Sequence, residues 1–338
     1  MLAAPAAAQT RLFSADAPVK IVITGPFPTL VRNASSSISP YPATLTVTDG
    51  DSPPEALPVK LRARGHTRRT EYCTFPPLEL SFDKEARHGT LFKGQHKLKL
   101  VTYCRPPADY EQRIVLEYLT YRLYNLITPM SFRVRAAEVT YRSSEADAGV
   151  TRFGFLVEDI SDVADRNGRE PLKAASHQVS LSQLDAHATA EAALFEYMIA
   201  NLDWEFLAGP PGTNCCHNSR FIAAPGATPT SASAVAPVPY DYDSSGFVDS
   251  PYATAPAALP DVVSVTDRYF RGYCATKAEF ASAAQEYRDH RTQMMALIDG
   301  EPHLNAAFRA KTDRFMAGFF AVLDDPARFQ RDIVGHCR

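Results

Sequence analysis

The chain has 338 residues, 45% of them hydrophobic and 22% charged, with a formal net charge of −3. That length suits one large domain or two lobes, each able to bury a core of its own. The near-neutral balance offers no basic field to nucleic acid or anionic lipid, and no apolar run approaches the roughly 20 residues of a spanning helix, so neither a nucleic-acid partner nor a membrane span is expected.

The opening MLAAPAAAQT reads like the tail of a secretory signal, with Ala6 and Ala8 in an Ala-x-Ala pattern but no basic n-region. Residues 1–18 are therefore read as a truncated signal-like segment without fixed structure. The protein is expected to be exported, periplasmic or extracellular; a cytoplasmic enzyme is the alternative.

From Val19 to Val157 the segments VKIVIT, ATLTVT, VKLRAR, LELSF, KLKLV, FRVRAAEVTY and TRFGFLV show the period-two alternation or β-branched runs of strands. One helix interrupts them: ADYEQRIVLEYLTYRLYNLIT puts Leu116, Leu119, Leu123 and Leu126 on one stripe, and Pro129 limits it. Residues 19–158 are thus expected to form an antiparallel, β-rich N-terminal lobe with a single long helix packed on its sheet.

Residues 159–338 change character. Leu184, Ala188, Phe195, Ile199 and Leu202 recur at helical spacing, Thr276 and Glu279 have the spacing of a capping box, and Asp325-Pro326 opens a last helix. The Ala/Pro/Ser/Thr stretch APGATPTSASAVAPVP is too poor in large apolar side chains to order itself firmly and is read as a loose hairpin tip. Strands first and helices after predict an α+β, two-lobed protein.

The six cysteines, Cys73, Cys104, Cys215, Cys216, Cys274 and Cys337, fit disulfides in an exported protein, with fifteen pairings open. Cys73 to Cys104 is preferred, because each flanks a strand of the same lobe. Free thiols in a cytosolic enzyme are the alternative. A zinc site at Cys215, Cys216 and His217 lacks the usual C-x2-C spacing.

Chemistry concentrates between Asn201 and Ala253, where NLDW, CCHN and VPYDYDSSGFVDSPYA follow one another. Phosphoryl transfer needs a carboxylate near the acceptor hydroxyl and an Asn and an Asp that hold Mg2+ against nucleotide phosphates. Asp203, Asn218 and Asp241 stand in that order. SRFIA and SAVAPVP can pair as two strands of a hairpin, which would draw Asn218 and Asp241 together.

The order RGHTRR, KLKLV, helix, FGFLVEDI, NLDW, CCHN and VPYDYD, from about Tyr41 to Cys274, resembles the CotH family of atypical protein kinases, the spore coat protein H kind. The resemblance implies a two-lobed, protein-kinase-like fold with a helical C-terminal lobe. It also implies ATP- and Mg2+-dependent (or Mn2+-dependent) transfer to Ser or Thr hydroxyls of a protein substrate. It assigns the catalytic aspartate to Asp203, the metal-binding aspartate to Asp241 and the second metal position to Asn218. Asp243 assists the metal or orients Asp241. Arg64 and Gly65 match the family's Arg-Gly turn, where a guanidinium could meet a phosphate; an exposed basic turn is the plainer alternative. Lys99, opposite in direction to Leu98 and Leu100, is assigned to phosphate and paired with Glu117 as kinases pair such residues; solvated charges are the alternative.

Three other readings compete. DYDSSGFVD places Asp241, Asp243, Gly246 and Asp249 as a calcium loop would, but Tyr252 stands where the bidentate glutamate belongs. A hydrolase using Asp241 and Asp243 as acid and base lacks a visible sugar platform. A non-catalytic surface or binding protein on the same framework is the third. His66, His88 and His187 read as polar surface or satisfied packing residues, and Trp204 as a packing anchor.

Overall fold

The computed structural model describes residues 11–338; the signal-like reading of MLAAPAAAQT lies outside them. Arg11–Phe13 form a short 3-10 turn with Leu12 and Phe13 buried. The chain divides into two compact units. One, the barrel unit, runs to Tyr118 and includes Arg133–Asp162; the other, the helical unit, comprises Leu119–Phe132 and Val163–Arg338.

In the barrel unit every predicted strand forms: β1 (Val19–Thr24), β2 (Tyr41–Asp49), β3 (Glu55–Ala63), β4 (Leu78–Phe82), β5 (Lys97–Val101), β6 (Val134–Arg142) and β7 (Val150–Val157). They close into a barrel in the order β1-β2-β3-β4-β5-β7-β6. Closure comes from β1, which pairs antiparallel with β2 and parallel with β6, so that Val19 faces Asp49 on one side and Ala137 on the other. Alternation explains the filling. In β3, Leu57, Val59, Leu61 and Ala63 are buried while the residues between them are not, and Ile21, Ile23, Leu80, Leu98, Leu100 and Val139 do the same elsewhere. Each such side chain contributes roughly 1.5–3 kcal/mol when removed from water.

This corrects the expected architecture. The first half is not the open antiparallel sheet of a two-lobed, protein-kinase-like fold but a closed barrel, and the second half is not simply helical, since it holds a three-stranded sheet of its own. Alternation tells which face of a strand is buried; it does not tell whether the first strand will meet the sixth.

A short helix α1 (Phe27–Asn33) follows β1, and α2 (Ala108–Ile127) is the predicted long helix. Within the barrel unit, Tyr118 of α2 packs its ring on Phe153 and Phe155 of β7. Cys73 and Cys104 are bonded, as preferred from sequence, joining the segments that follow β3 and β5.

After α3 (Ile160–Arg166), the helical unit contains β8 (Glu170–Leu172), α4 (Ala186–Met198), β9 (Ser219–Ala223), β10 (Ala236–Pro239), α5 (Phe280–Asp289), α6 (Arg291–Asp299), α7 (Ala306–Asp324) and α8 (Pro326–Phe329). β9 pairs antiparallel with both β8 and β10. α4 is shorter than the apolar periodicity suggested. Asp185 caps it by accepting from the Ala188 N–H, which leaves Leu184 outside, and Ala200 turns to φ 51°, which leaves Leu202 in a loop.

The Ala/Pro/Ser/Thr tip is held, not loose: the Gln183 amide donates to the carbonyls of Pro229 and Ala232, each at 2.9 Å. The capping box at Thr276 and Glu279 does not form, because Cys274–Glu279 is a 3-10 turn and Glu279 faces His187 instead. Asp325 does cap α8, accepting from Ala327 and Arg328. Cys215 is bonded to Cys216 and Cys274 to Cys337. Among the described residues no helix is long and apolar enough to cross a membrane.

Candidate functional site

The end of α4 delivers Asp203. Asn201, 1% exposed, ties the turn together: its amide donates to Glu196 Oε2 at 2.8 Å, its side-chain oxygen accepts the Asp203 N–H at 3.1 Å, and its carbonyl accepts the Trp204 indole N–H at 3.0 Å. Trp204 and Phe206 are buried with their rings tilted against each other at 4.3 Å, which leaves Asp203 between them and the helix as the outward-facing side chain. Burial pushes the Glu196 carboxyl well above its ordinary range, with Asn201 and Arg271 opposing that rise.

The base of the β9/β10 hairpin delivers the other residues. Ser219 lies opposite Pro239, and one step outward the Tyr240 N–H donates to the Asn218 carbonyl at 2.9 Å. Asn218 and Asp241, which flank this base, both adopt left-handed backbone, at φ 50° and 70°. Asn and Asp tolerate that region better than most residues, and such conformations concentrate where a side chain must be aimed. The Asp241 N–H donates to the Tyr121 hydroxyl at 3.0 Å, and the Tyr121 ring packs edge-on against Tyr242 at 4.7 Å.

These pieces meet. Asn218 Nδ2 donates to the Asp203 carbonyl at 2.7 Å and to its carboxylate Oδ2 at 3.0 Å, and His217 Nε2 donates to Oδ1 at 2.6 Å. The Asp203 bond, and then the negative charges of Asp203 and Asp241, raise the His217 imidazole above its ordinary pKa. Asp241 therefore lies within electrostatic reach of the pair. An isolated antiparallel backbone bridge between Glu205 and His217 fixes the segment that carries the imidazole, just ahead of β9.

Asp243 is buried, accepts from the Tyr252 hydroxyl at 2.9 Å, and offers a carboxylate oxygen within 4.8 Å of one on Asp241. Asp249 receives the ammonium of Lys311. Gly246 is needed for closeness rather than for an unusual turn: a Cβ there would meet the Val265 carbonyl oxygen at 2.4 Å and Ala200 Cβ at 2.9 Å.

Three predicted residues belong to the barrel unit. Arg64 follows β3, its N–H donating to the Pro77 carbonyl at 2.9 Å, and Gly65 beside it has φ 85°. Lys99 lies half-buried on β5, alternating with the buried Leu98 and Leu100 as expected. Glu117, 1% exposed, receives a two-pronged bond from Arg68 at 3.0 and 3.2 Å, a partner the sequence reading passed over.

The sequence reading also gave His217 only a zinc role and passed over Asn201 and Tyr121. Asn201 was recoverable, since a polar residue two positions before Asp203, at the end of an apolar helix, is placed to hold that turn. Tyr121 was not, because nothing local links it to Asp241. No family model matches the sequence, and no curated protein matches it with significance.

Proposed function

We propose that the chain is an ATP- and Mg2+-dependent (or Mn2+-dependent) phosphotransferase of the CotH kind, passing a phosphoryl group to Ser or Thr hydroxyls of a protein substrate. The observation that supports it is the hydrogen-bonded pair of Asn218 and Asp203 at the base of the hairpin in the helical unit, with Asp241 following the Tyr240 that pairs with Asn218 there. The reading rests on this site and its sequence motifs, not on a kinase-like fold.

The donor set fits a hard cation. Asn218 commits its amide nitrogen to Asp203, so its oxygen is the end suited to a metal, and Asp241 with Asp243 supplies paired carboxylate oxygens. Mg2+ with a nucleoside triphosphate supplies, when bound, the phosphoryl group and the positive charge that steadies its transfer. Asn218 and Asp241 hold the ion, with Asp243 behind them. Asp203 orients the acceptor hydroxyl and takes its proton. His217 and Asn218 keep the Asp203 carboxylate in one rotamer before substrate arrives. The three disulfides support an exported, periplasmic or extracellular location, where oxidised cysteines persist.

The test is incubation of the purified chain with labelled ATP and Mg2+ or Mn2+, scoring autophosphorylation and transfer to a serine-rich protein. Asp203→Asn is expected to abolish transfer while retaining nucleotide binding, and Asp241→Ala to weaken metal-dependent binding itself. Equal transfer by parent and Asp203→Asn would remove the assignment.

A further inference from the structure

Away from that site, α4 and α5 bring together an imidazole and three carboxylates. His187 and Glu191 stand one helical turn apart on α4, Glu286 faces them from α5, and Glu279 immediately precedes α5. His187 Nδ1 lies 3.1 Å from Glu279 Oε2. Its Nε2 lies 3.0 Å from Glu286 Oε1 and 4.0 Å from Glu191 Oε2.

The geometry assigns His187 Nε2, Glu191 and Glu286 as the three protein ligands of a divalent first-row transition-metal ion, with Glu279 as the residue that orients the imidazole. Three features carry this. Bonds of about 2.1 Å to nitrogen and oxygen at tetrahedral angles place ligand atoms about 3.4 Å apart, between the 3.0 and 4.0 Å seen, and all three ligand atoms lie within 4.8 Å of one another. Glu279 on Nδ1 makes the carboxylate–histidine arrangement that fixes ring direction at metal sites, and an ion that displaces the Nε2 proton, held at 3.0 Å by Glu286 in its absence, would find the imidazole already aimed at both carboxylates. Finally, Glu191 is only 5% exposed and its Oε1 makes no hydrogen bond of ordinary geometry although the Thr128 hydroxyl approaches the carboxyl, a sealed carboxylate oxygen of a kind that natural structures seldom leave unsatisfied.

Imidazole with carboxylates suits Zn2+, Co2+ or Mn2+ better than Mg2+ or Ca2+, which prefer oxygen alone. Access is open, because His187, Glu279 and Glu286 each keep 36% of their side-chain surface exposed. A proton is the rival occupant: burial, opposed by the Thr128 hydroxyl and reinforced by the Glu286 charge, pushes the Glu191 carboxyl up to about 8. The ion would fasten α4 to α5, a junction also made by the Tyr287 hydroxyl on the Glu191 carbonyl at 2.9 Å.

The test uses the full chain, stripped with chelator and titrated with Co2+, read by visible d–d absorption and equilibrium dialysis, then displaced with Zn2+. One equivalent is expected to produce the intense d–d band of a tetrahedral nitrogen- and oxygen-ligated ion. His187→Ala and Glu286→Gln should each weaken binding by more than tenfold, Glu279→Gln by about tenfold through the orienting bond, and Glu191→Gln, which keeps volume, by more than tenfold. Asp241→Ala should leave the spectrum unchanged, which separates this site from the phosphotransferase reading. Parent protein that shows no Co2+ spectrum, or a spectrum that survives in His187→Ala, overturns the assignment whatever the fate of the other variants.

Discussion

Asn201→Ala tests how the Asp203 turn is held. The substitution removes the amide donor from Glu196, a carboxyl that is 0% exposed and whose other oxygen already lacks a partner. It also removes the acceptor of the Asp203 N–H. Losing a hydrogen bond to a buried acid group costs about 1.5–3 kcal/mol, and the small void adds to this, for a total of about 3 kcal/mol. At 2–4 °C per kcal/mol for a unit of this size, the helical unit's melting transition should fall by about 6–12 °C. Calorimetry measures it, and on the proposed phosphotransferase function any transfer at a temperature where the variant is still folded should drop as well, because Asp203 loses its anchor. A fall of less than about 2 °C would refute the reasoning, since it would mean Glu196 and Asp203 are positioned without Asn201.

Gly246→Ala drives a methyl into the Val265 carbonyl and should destabilise by about 1–3 kcal/mol, seen as a lower urea midpoint. Arg68→Ala removes the two-pronged guanidinium from the buried Glu117 carboxylate and should lower the barrel unit's stability by about 3–5 kcal/mol, whereas a solvated pair would lose almost nothing. Glu205 is opposed by burial, but the Tyr273 hydroxyl at 2.5 Å and Arg338 at 2.6 Å win and hold its carboxyl below the ordinary value. Its stabilisation is therefore complete above the unfolded pKa of about 4.3 and disappears as pH falls through the lower folded value. Melting scans between pH 6 and 3 should show a steeper loss for the parent than for Glu205→Gln. Cys337→Ser opens a loop spanning 63 positions and should cost about 4 kcal/mol by chain entropy, measurable as a lower urea midpoint, with a larger loss when the parent is reduced and Cys73–Cys104 opens as well.

Local pattern was readable where burial has a period. The strands from VKIVIT to TRFGFLV and the α2 stripe follow from side chains within a few residues of one another, and the Cys73–Cys104 bridge from the strands its cysteines flank. The β9/β10 hairpin was readable too, because two β-capable segments flanked one tip, and its base pairs Ser219 with Pro239 beside Asn218. What failed was long-range or competitive. Nothing near VKIVIT announces that its second partner is VRAAEVTYR, so the barrel was read as an open sheet and a kinase-like fold was inferred. Glu279 had the spacing of a cap, but an imidazole from another helix won its carboxylate. His187 looked like any surface histidine, since its neighbours come from a helix far along the chain.

The seam between β1 and β6 has a consequence for how the protein is made. β1 emerges from the ribosome early, but the strand that covers its free side comes only after α2 has been synthesised. Until then the growing polypeptide carries raw hydrogen-bonding edges on β1 and β5, the kind of surface that recruits other chains. A version of the protein shortened to end at Ile127 would keep those edges permanently and should aggregate, while one extended through Val157 has every strand it needs to seal itself.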